Sequence, residues 1–166
     1  DCAQLGLGIE RENARKIVEI GCEVQRQLNR HHEIVHPEND QLKGIAYTML
    51  IDKGPEGELR GATVLPPGRV DRSPCGTGNS ARMAVMHERG EVAVGDTYSA
   101  YSIIGSRFDM TVAGTTEVAG KTAVLPKVSG RGWIHGIHQI GVDPSDPYPL
   151  GYSVADCWGD AYDLVK

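Results

Sequence analysis

Glycine and proline interrupt this chain so often that most of it can fold only as short strands joined by turns. There are 21 glycines and 9 prolines in 166 residues, and each is a place where a long helix weakens or a turn forms. One long stretch departs from the pattern. Over residues 12–30, Ala14, Ile17, Val18, Gly21, Val24 and Leu28 recur at spacings of three and four, so one apolar stripe runs down a helix. Arg15, Glu19, Glu23 and Arg26 fall mostly off that stripe. An amphipathic helix lying on a sheet accounts for the segment, and nothing in it requires chemistry. A second, shorter helix is predicted over 79–89, stopped by Gly90, with Ala81, Met83, Ala84 and Val85 to bury it. Strands are predicted over 44–52, 60–65, 97–104, 108–112, 122–128 and 132–142, with a short last segment around 155–165. The expected architecture is α+β, a single domain over 1–166 with strands wrapped around a short helix.

Charge and composition narrow the function. Hydrophobic residues make up 40% of the chain and charged ones 23%, enough for one packed core. A formal net charge of −5 and the lack of a long basic run argue against nucleic acid or an anionic membrane surface as partner. No apolar stretch approaches the roughly 20 residues that span a bilayer, and no signal-peptide pattern opens the chain, so a soluble cytoplasmic protein is expected. The opening Asp1-Cys2-Ala3 lacks an initiator methionine, which suggests a fragment, a processed chain or a trimmed one.

Four cysteines, Cys2, Cys22, Cys75 and Cys157, form no C-x-x-C pair, so neither a zinc ribbon nor a thioredoxin-type site is suggested. Cys2, Cys22 and Cys157 read as scattered buried thiols. The histidines give no metal site either. His31, His32 and His36 lie at a helix end and in a loop without a thiol or carboxylate at ligand spacing, and a helix C-terminus favours such side chains in any case. His135 and His138 would point to opposite faces of a strand, with His138 in a core beside Ile134, Ile140 and Val142. Trp133 and Trp158 read as packing residues.

Cys75 differs because of its neighbours, Asp71-Arg72-Ser73-Pro74-Cys75-Gly76-Thr77-Gly78-Asn79-Ser80-Ala81-Arg82. Pro74 favours a turn or a first helical position, and Gly76 and Gly78 permit close backbone approach. The helix that follows leaves its first N–H groups unpaired. A thiol is thereby set beside backbone donors at the positive end of a helix dipole, which binds an anion such as a carboxylate and favours the thiolate. Proton abstraction at the α-carbon of an amino acid needs that pairing of base and carboxylate pocket. Asp71 either accepts from a substrate amine or caps a turn, and local chemistry leaves the two readings level. A phosphatase-type loop would need its arginine one residue nearer to the cysteine than Arg82 stands. A phosphate loop would need a lysine that is absent, and a papain-like thiol its own signature and a placed histidine. Spacing alone stops at a thiol on an anion site.

Residues 71–82 resemble the second cysteine motif of the proline racemase family, which includes hydroxyproline 2-epimerases and trans-3-hydroxy-L-proline dehydratases. The likeness continues through Ser102-Ile103-Ile104-Gly105-Ser106-Arg107-Phe108, Ser129-Gly130-Arg131-Gly132-Trp133-Ile134 and Asp143-Pro144-Ser145-Asp146-Pro147, in the family's order. The resemblance implies a diaminopimelate-epimerase-like fold of two pseudo-symmetric halves, each wrapping a sheet around a central helix, with the site between them. It implies Cys75 as one acid/base, the N–H groups of Gly76 and Thr77 on the substrate carboxylate, and Asp71 on its amine. No metal or cofactor is implied. Only one such motif is present, so the chain is expected to be the C-terminal half, inactive without the N-terminal lobe. The expected partners are proline or hydroxyproline, that lobe and, as a homodimer, a second copy. Because the thiol is intact, an isomerase reading stands ahead of the dehydratase one. A non-catalytic domain that binds a small carboxylate is the rival of another class.

Overall fold

The computed structural model describes residues 1–151. The chain divides into a compact body over Asp1–Arg131 and a second unit from Gly132 onward. In the body, two 3-10 turns lead into the long helix α1 (Ala14–His31), and a small hairpin of β1 (Val35–His36) and β2 (Asn39–Lys43) follows it. The remaining strands form one six-stranded sheet: β3 (Thr48–Lys53), β4 (Leu59–Leu65), β5 (Arg69–Val70), β6 (Thr97–Tyr101), β7 (Arg107–Val118) and β8 (Lys121–Gly130). The order is β3-β4-β6-β7-β8, with β5 also paired to β4. Every pairing is antiparallel except β4 with β6. A parallel pair needs a crossover connection, and the segment between β5 and β6 supplies it, carrying the second helix, α2 (Gly76–Glu88).

Alternation along β4 explains how two helices share one sheet. Successive side chains of a strand point to opposite faces. Ala62 and Val64 join Ile17 of α1, Leu50, Ile9, Cys2 and Ile103 in one buried cluster. Gly61 and Thr63 point the other way, where a side chain added at Gly78 of α2 would meet Thr63. On that face Met83 of α2 is fully buried with Ala100, Met110 and Val112. The helix α1 comes so near the sheet that a Cβ at Gly21 would lie 2.6 Å from Val64 Cγ2. Pro126 stands in β8 opposite a bulge between Val112 and Gly114 of β7, on a strand at the end of the sheet, the surroundings in which a sheet tolerates proline.

Several expectations are corrected. The helix α2 begins at Gly76, three residues before the predicted start, because its first turn is the glycine-rich stretch itself. Met83 is its buried apolar side chain, whereas Val85 is 48% exposed and Ala81 and Ala84 are also exposed. The strand predicted over 132–142 is absent: those residues have no regular structure, and Trp133, Ile134, Ile140 and Val142 are exposed. Their apolar spacing is that of a strand, but a strand exists only with a neighbour to complete its backbone hydrogen bonds. His138 is accordingly exposed rather than in a core. The exposed hairpin β1–β2 has no apolar alternation to mark it in the sequence. Along α1, Ile17 and Gly21 are buried as the stripe requires, but Val24 and Leu28 line a groove of about 510 Å³ with Ile20, Tyr47 and Leu50. Cys157, Trp158 and the segment over 155–165 lie outside the described residues.

Candidate active site

The turn from β5 into α2 is held by a chain of short-range hydrogen bonds. The Asp71 N–H donates to Thr63 O of β4 at 2.9 Å. One Asp71 carboxylate oxygen accepts from Ser73 N–H at 2.9 Å, and Ser73 Oγ accepts from Cys75 N–H at 3.0 Å. Asp71 therefore caps the turn, and among the described residues it forms no ion pair with Arg72. The carbonyls of the loop are claimed from the side. Asn79 Nδ2 donates to Pro74 O at 2.5 Å and Cys75 O at 3.2 Å, and Ser106 Oγ donates to Arg72 O at 3.1 Å. With these three carbonyls bound, the loop presents backbone N–H groups at the start of the helix.

Cys75 is the N-cap of α2, with φ of 65° and ψ of 106°. A side chain with a Cβ rarely takes positive φ, and the cost is of order 1–3 kcal/mol. Here the conformation is over-determined by the bonds through Ser73 and Asn79 and by buried Pro74. It turns the thiol back over the first helical turn, where Gly78 N–H donates to Sγ at 3.3 Å and Thr77 Oγ1 lies 3.5 Å away. Cys75 as a whole is 7% exposed. Gly76 and Thr77 occupy the first two helical positions, where N–H groups have no intrahelical acceptor. A Cβ at Gly76 would meet nothing within 4 Å, so that side is open. At Gly78 the reverse holds: a Cβ would sit 2.9 Å from Met49 Cε, 3.1 Å from Cys75 Sγ and 3.2 Å from Thr63 Oγ1. Glycine is required there for the thiol and the helix to approach.

Two of the buried polar atoms near this turn, Thr63 Oγ1 and Asn79 Oδ1, have no partner among the described residues. Asn79 is fixed further by Tyr98, whose hydroxyl donates to Asn79 O at 3.1 Å. Burial pushes the Tyr98 phenol above its ordinary value, opposed by the nearby Arg82. Arg82 donates to Arg60 O of β4 at 3.1 Å, and burial holds its guanidinium below the usual value. It belongs to the packing of α2.

Asp71, Cys75, Gly76 and Thr77 are thus gathered at one strand-to-helix turn. The other described cysteines lie apart from that turn: Cys2 is buried in the cluster on the α1 face, and Cys22 is on α1 with Sγ 3.9 Å from Pro67 O. No group of three or more His, Cys, Asp or Glu side chains among the described residues is arranged to hold a metal ion. Three contributors were not singled out from sequence. Asn79 and Ser106 bind the loop carbonyls, and Tyr47 reaches Thr77 Oγ1 with its hydroxyl at 2.5 Å. The asparagine at the fourth helical position was the one local signal, because such a side chain commonly bonds to nearby backbone. Tyr47 stands thirty residues from Thr77 and leaves no trace in a local pattern.

The arrangement, a shielded thiol at a helix start beside free N–H donors, can exchange a proton with a bound carbanion-forming acid and hold its carboxylate. Comparison with known proteins places the chain in a family. The proline racemase family model matches residues 1–153. The chain is 47% identical over all of its length to a 4-hydroxyproline 2-epimerase of Allorhizobium ampelinum, and 48% identical over 159 residues to one of Agrobacterium fabrum. It spans 48% and 46% of those relatives, about half their length. A crystal structure of a hydroxyproline epimerase from Agrobacterium vitis, with bound trans-4-hydroxy-L-proline, superposes with a TM-score of 0.80 at 47% identity, covering 100% of this chain and 48% of that one. A probable proline racemase from Agrobacterium radiobacter, with bound carbonate, gives 0.80 at 43% identity, covering 99% of this chain and 48% of the other. The α+β body described above therefore has the diaminopimelate-epimerase-like fold of those epimerases, and the chain belongs to the proline racemase family.

Proposed function

We propose that this chain is one half of an isomerase that inverts the α-carbon of 4-hydroxyproline or proline without a cofactor. The observation that carries the reading is the Cys75 thiol, turned by its positive φ onto Gly78 N–H at the start of α2. In the forward step the Cys75 thiolate takes the α-proton from one face of the ring. An acid from the other half of the protein returns a proton to the opposite face, so the product differs from the substrate only in configuration. The N–H groups of Gly76 and Thr77 hold the carboxylate and temper the charge that spreads into it as the proton leaves. Asp71 keeps one oxygen on Ser73 N–H and offers the other to the substrate's ring nitrogen.

The reading draws support from relatives named as epimerases at 47–48% identity, and from the bound trans-4-hydroxy-L-proline of the Agrobacterium vitis protein. It also needs the half of the polypeptide that those relatives have in addition. Trp133, Ile134, Ile137, Ile140 and Val142 are exposed in the second unit, and that other half is the surface we assign to cover them. The test uses the chain alone and the chain joined to the N-terminal half of its Allorhizobium relative. Each is incubated in heavy water with L-proline, trans-4-hydroxy-L-proline and trans-3-hydroxy-L-proline, with the α-proton followed by NMR. Deuterium entering together with inverted product, in the joined protein only, is the expected result. Loss of water from the 3-hydroxy compound alone would indicate the dehydratase. Exchange with none of the three would indicate a carboxylate-binding domain, and robust turnover by the chain alone would overturn the need for a second half.

A further inference from the structure

We infer that Tyr47 is a positioning residue for the Cys75 thiolate, acting through the hydroxyl of Thr77. The inference rests on the reading of Cys75 as the acid/base and adds a residue from outside the motif. Tyr47 lies just before β3, far from the turn in sequence. Its hydroxyl nevertheless donates to Thr77 Oγ1 at 2.5 Å, and Thr77 Oγ1 stands 3.5 Å from Cys75 Sγ.

The direction of the protons follows from valence. A hydroxyl has one hydrogen to give and two lone pairs to receive. Once the Tyr47 O–H occupies a lone pair of Thr77 Oγ1, the Thr77 hydrogen is free to turn to the sulfur. The sulfur then receives two hydrogen bonds in its ionised form, from Gly78 N–H at 3.3 Å and from the Thr77 hydroxyl. Hydrogen bonds to an ionised group are about twice as strong as neutral ones, and a polarised chain strengthens each link. Without Tyr47 the Thr77 hydroxyl, which is exposed at the helix start, exchanges this geometry for water.

Among the described residues, the side chains packed beside the thiol at Gly78, Met49 of β3 and Thr63 of β4, carry no charge. The ionisable side chains of the loop are Asp71, with one oxygen bound to Ser73 N–H, and the exposed Arg72. Tyr47 is half-buried and also lines the groove beside α1 with Ile45 and Met49, so its ring is held by packing and its hydroxyl is presented to Thr77.

The test is alkylation of Cys75 by iodoacetamide in the intact chain, followed by peptide mass mapping so that the other thiols are counted separately. The readout is the ratio of the rate at neutral pH to the rate at about pH 9, because only thiolate reacts. A change in access alone moves both rates together and leaves the ratio as it was. In Tyr47→Phe the ratio should fall about three- to tenfold, the size expected for weakening one hydrogen bond to a charged group. Thr77→Val should lower it at least as far, and Thr77→Ser should restore it. Adding Tyr47→Phe to Thr77→Val should produce no further fall. An unchanged ratio in Tyr47→Phe, or an equal fall in the Thr77→Val background, would overturn the inference while leaving Cys75 as the base. A wild-type thiol no more reactive at neutral pH than an ordinary cysteine would remove both.

Discussion

At Gly78 a single missing methyl group decides where the thiol sits. A Cβ there would stand 2.9 Å from Met49 Cε, 3.1 Å from Cys75 Sγ and 3.2 Å from Thr63 Oγ1; the flexible end of Met49 can turn aside, but the sulfur must also shift for the methyl group to fit. Gly78→Ala is therefore expected to fold and to lower α-proton exchange in the joined protein by about a hundredfold, the loss that accompanies a misplacement of about an ångström. Exchange within a few-fold of wild type would mean that the thiol does not need its place over the first turn. Much of this site was legible in the sequence because it is local. Pro74, the paired glycines and the following helix lie within a dozen residues, so a thiol set at a helix start could be read from them together. The helix start was misplaced because glycines at 76 and 78 read as loop, whereas here they fill the first turn. The two readings of Asp71 resolved partly: it does cap the turn, with one carboxylate oxygen left for other use. What depends on contacts across the fold, Tyr47 on Thr77 and Ser106 on Arg72 O, had no local signature.

Among the elements, α1 and β4 meet at the closest approach in the core. Gly21→Ala would force a Cβ to within 2.6 Å of Val64, a branched and fully buried side chain with nowhere to move. The expected cost is about 1–3 kcal/mol, measured as a lower urea midpoint with an unchanged slope. A variant as stable as wild type would show that the helix is free to lift from the sheet. The stripe that predicted α1 was read correctly because its period is a property of the helix alone. Two other readings failed where a neighbour decides the outcome. Residues 132–142 have the residue types of a strand but no strand beside them here. The short helix α2 buries Gly78, Asn79 and Met83 rather than its alanines and Val85, since its contact with the sheet is set by the turn that launches it.

For the whole molecule, stability should depend on alkaline pH. Burial raises the Cys2 thiol, with Asp52 adding to the effect, and burial raises the Tyr98 phenol. Both groups hold their protons more tightly folded than unfolded. Their contribution is complete below the unfolded values of about 8.5 and 10, and it is lost as pH rises through the folded values. The urea midpoint should hold steady up to about pH 8 and decline above it, less steeply in Cys2→Ala. A midpoint that is level to about pH 10.5 would contradict the burial of both groups. Among the described residues no helix is long and apolar enough to cross a membrane, and the chain spans about half the length of its epimerase relatives. Its function therefore turns on whether the Cys75 turn is a working acid/base within the joined protein. The most direct measurement is iodoacetamide labelling of Cys75 near neutral pH, with and without pyrrole-2-carboxylate, a planar mimic of the deprotonated α-carbon. Rapid labelling that the mimic suppresses is the predicted result; slow labelling indifferent to the mimic would make Cys75 a bystander and contradict the account.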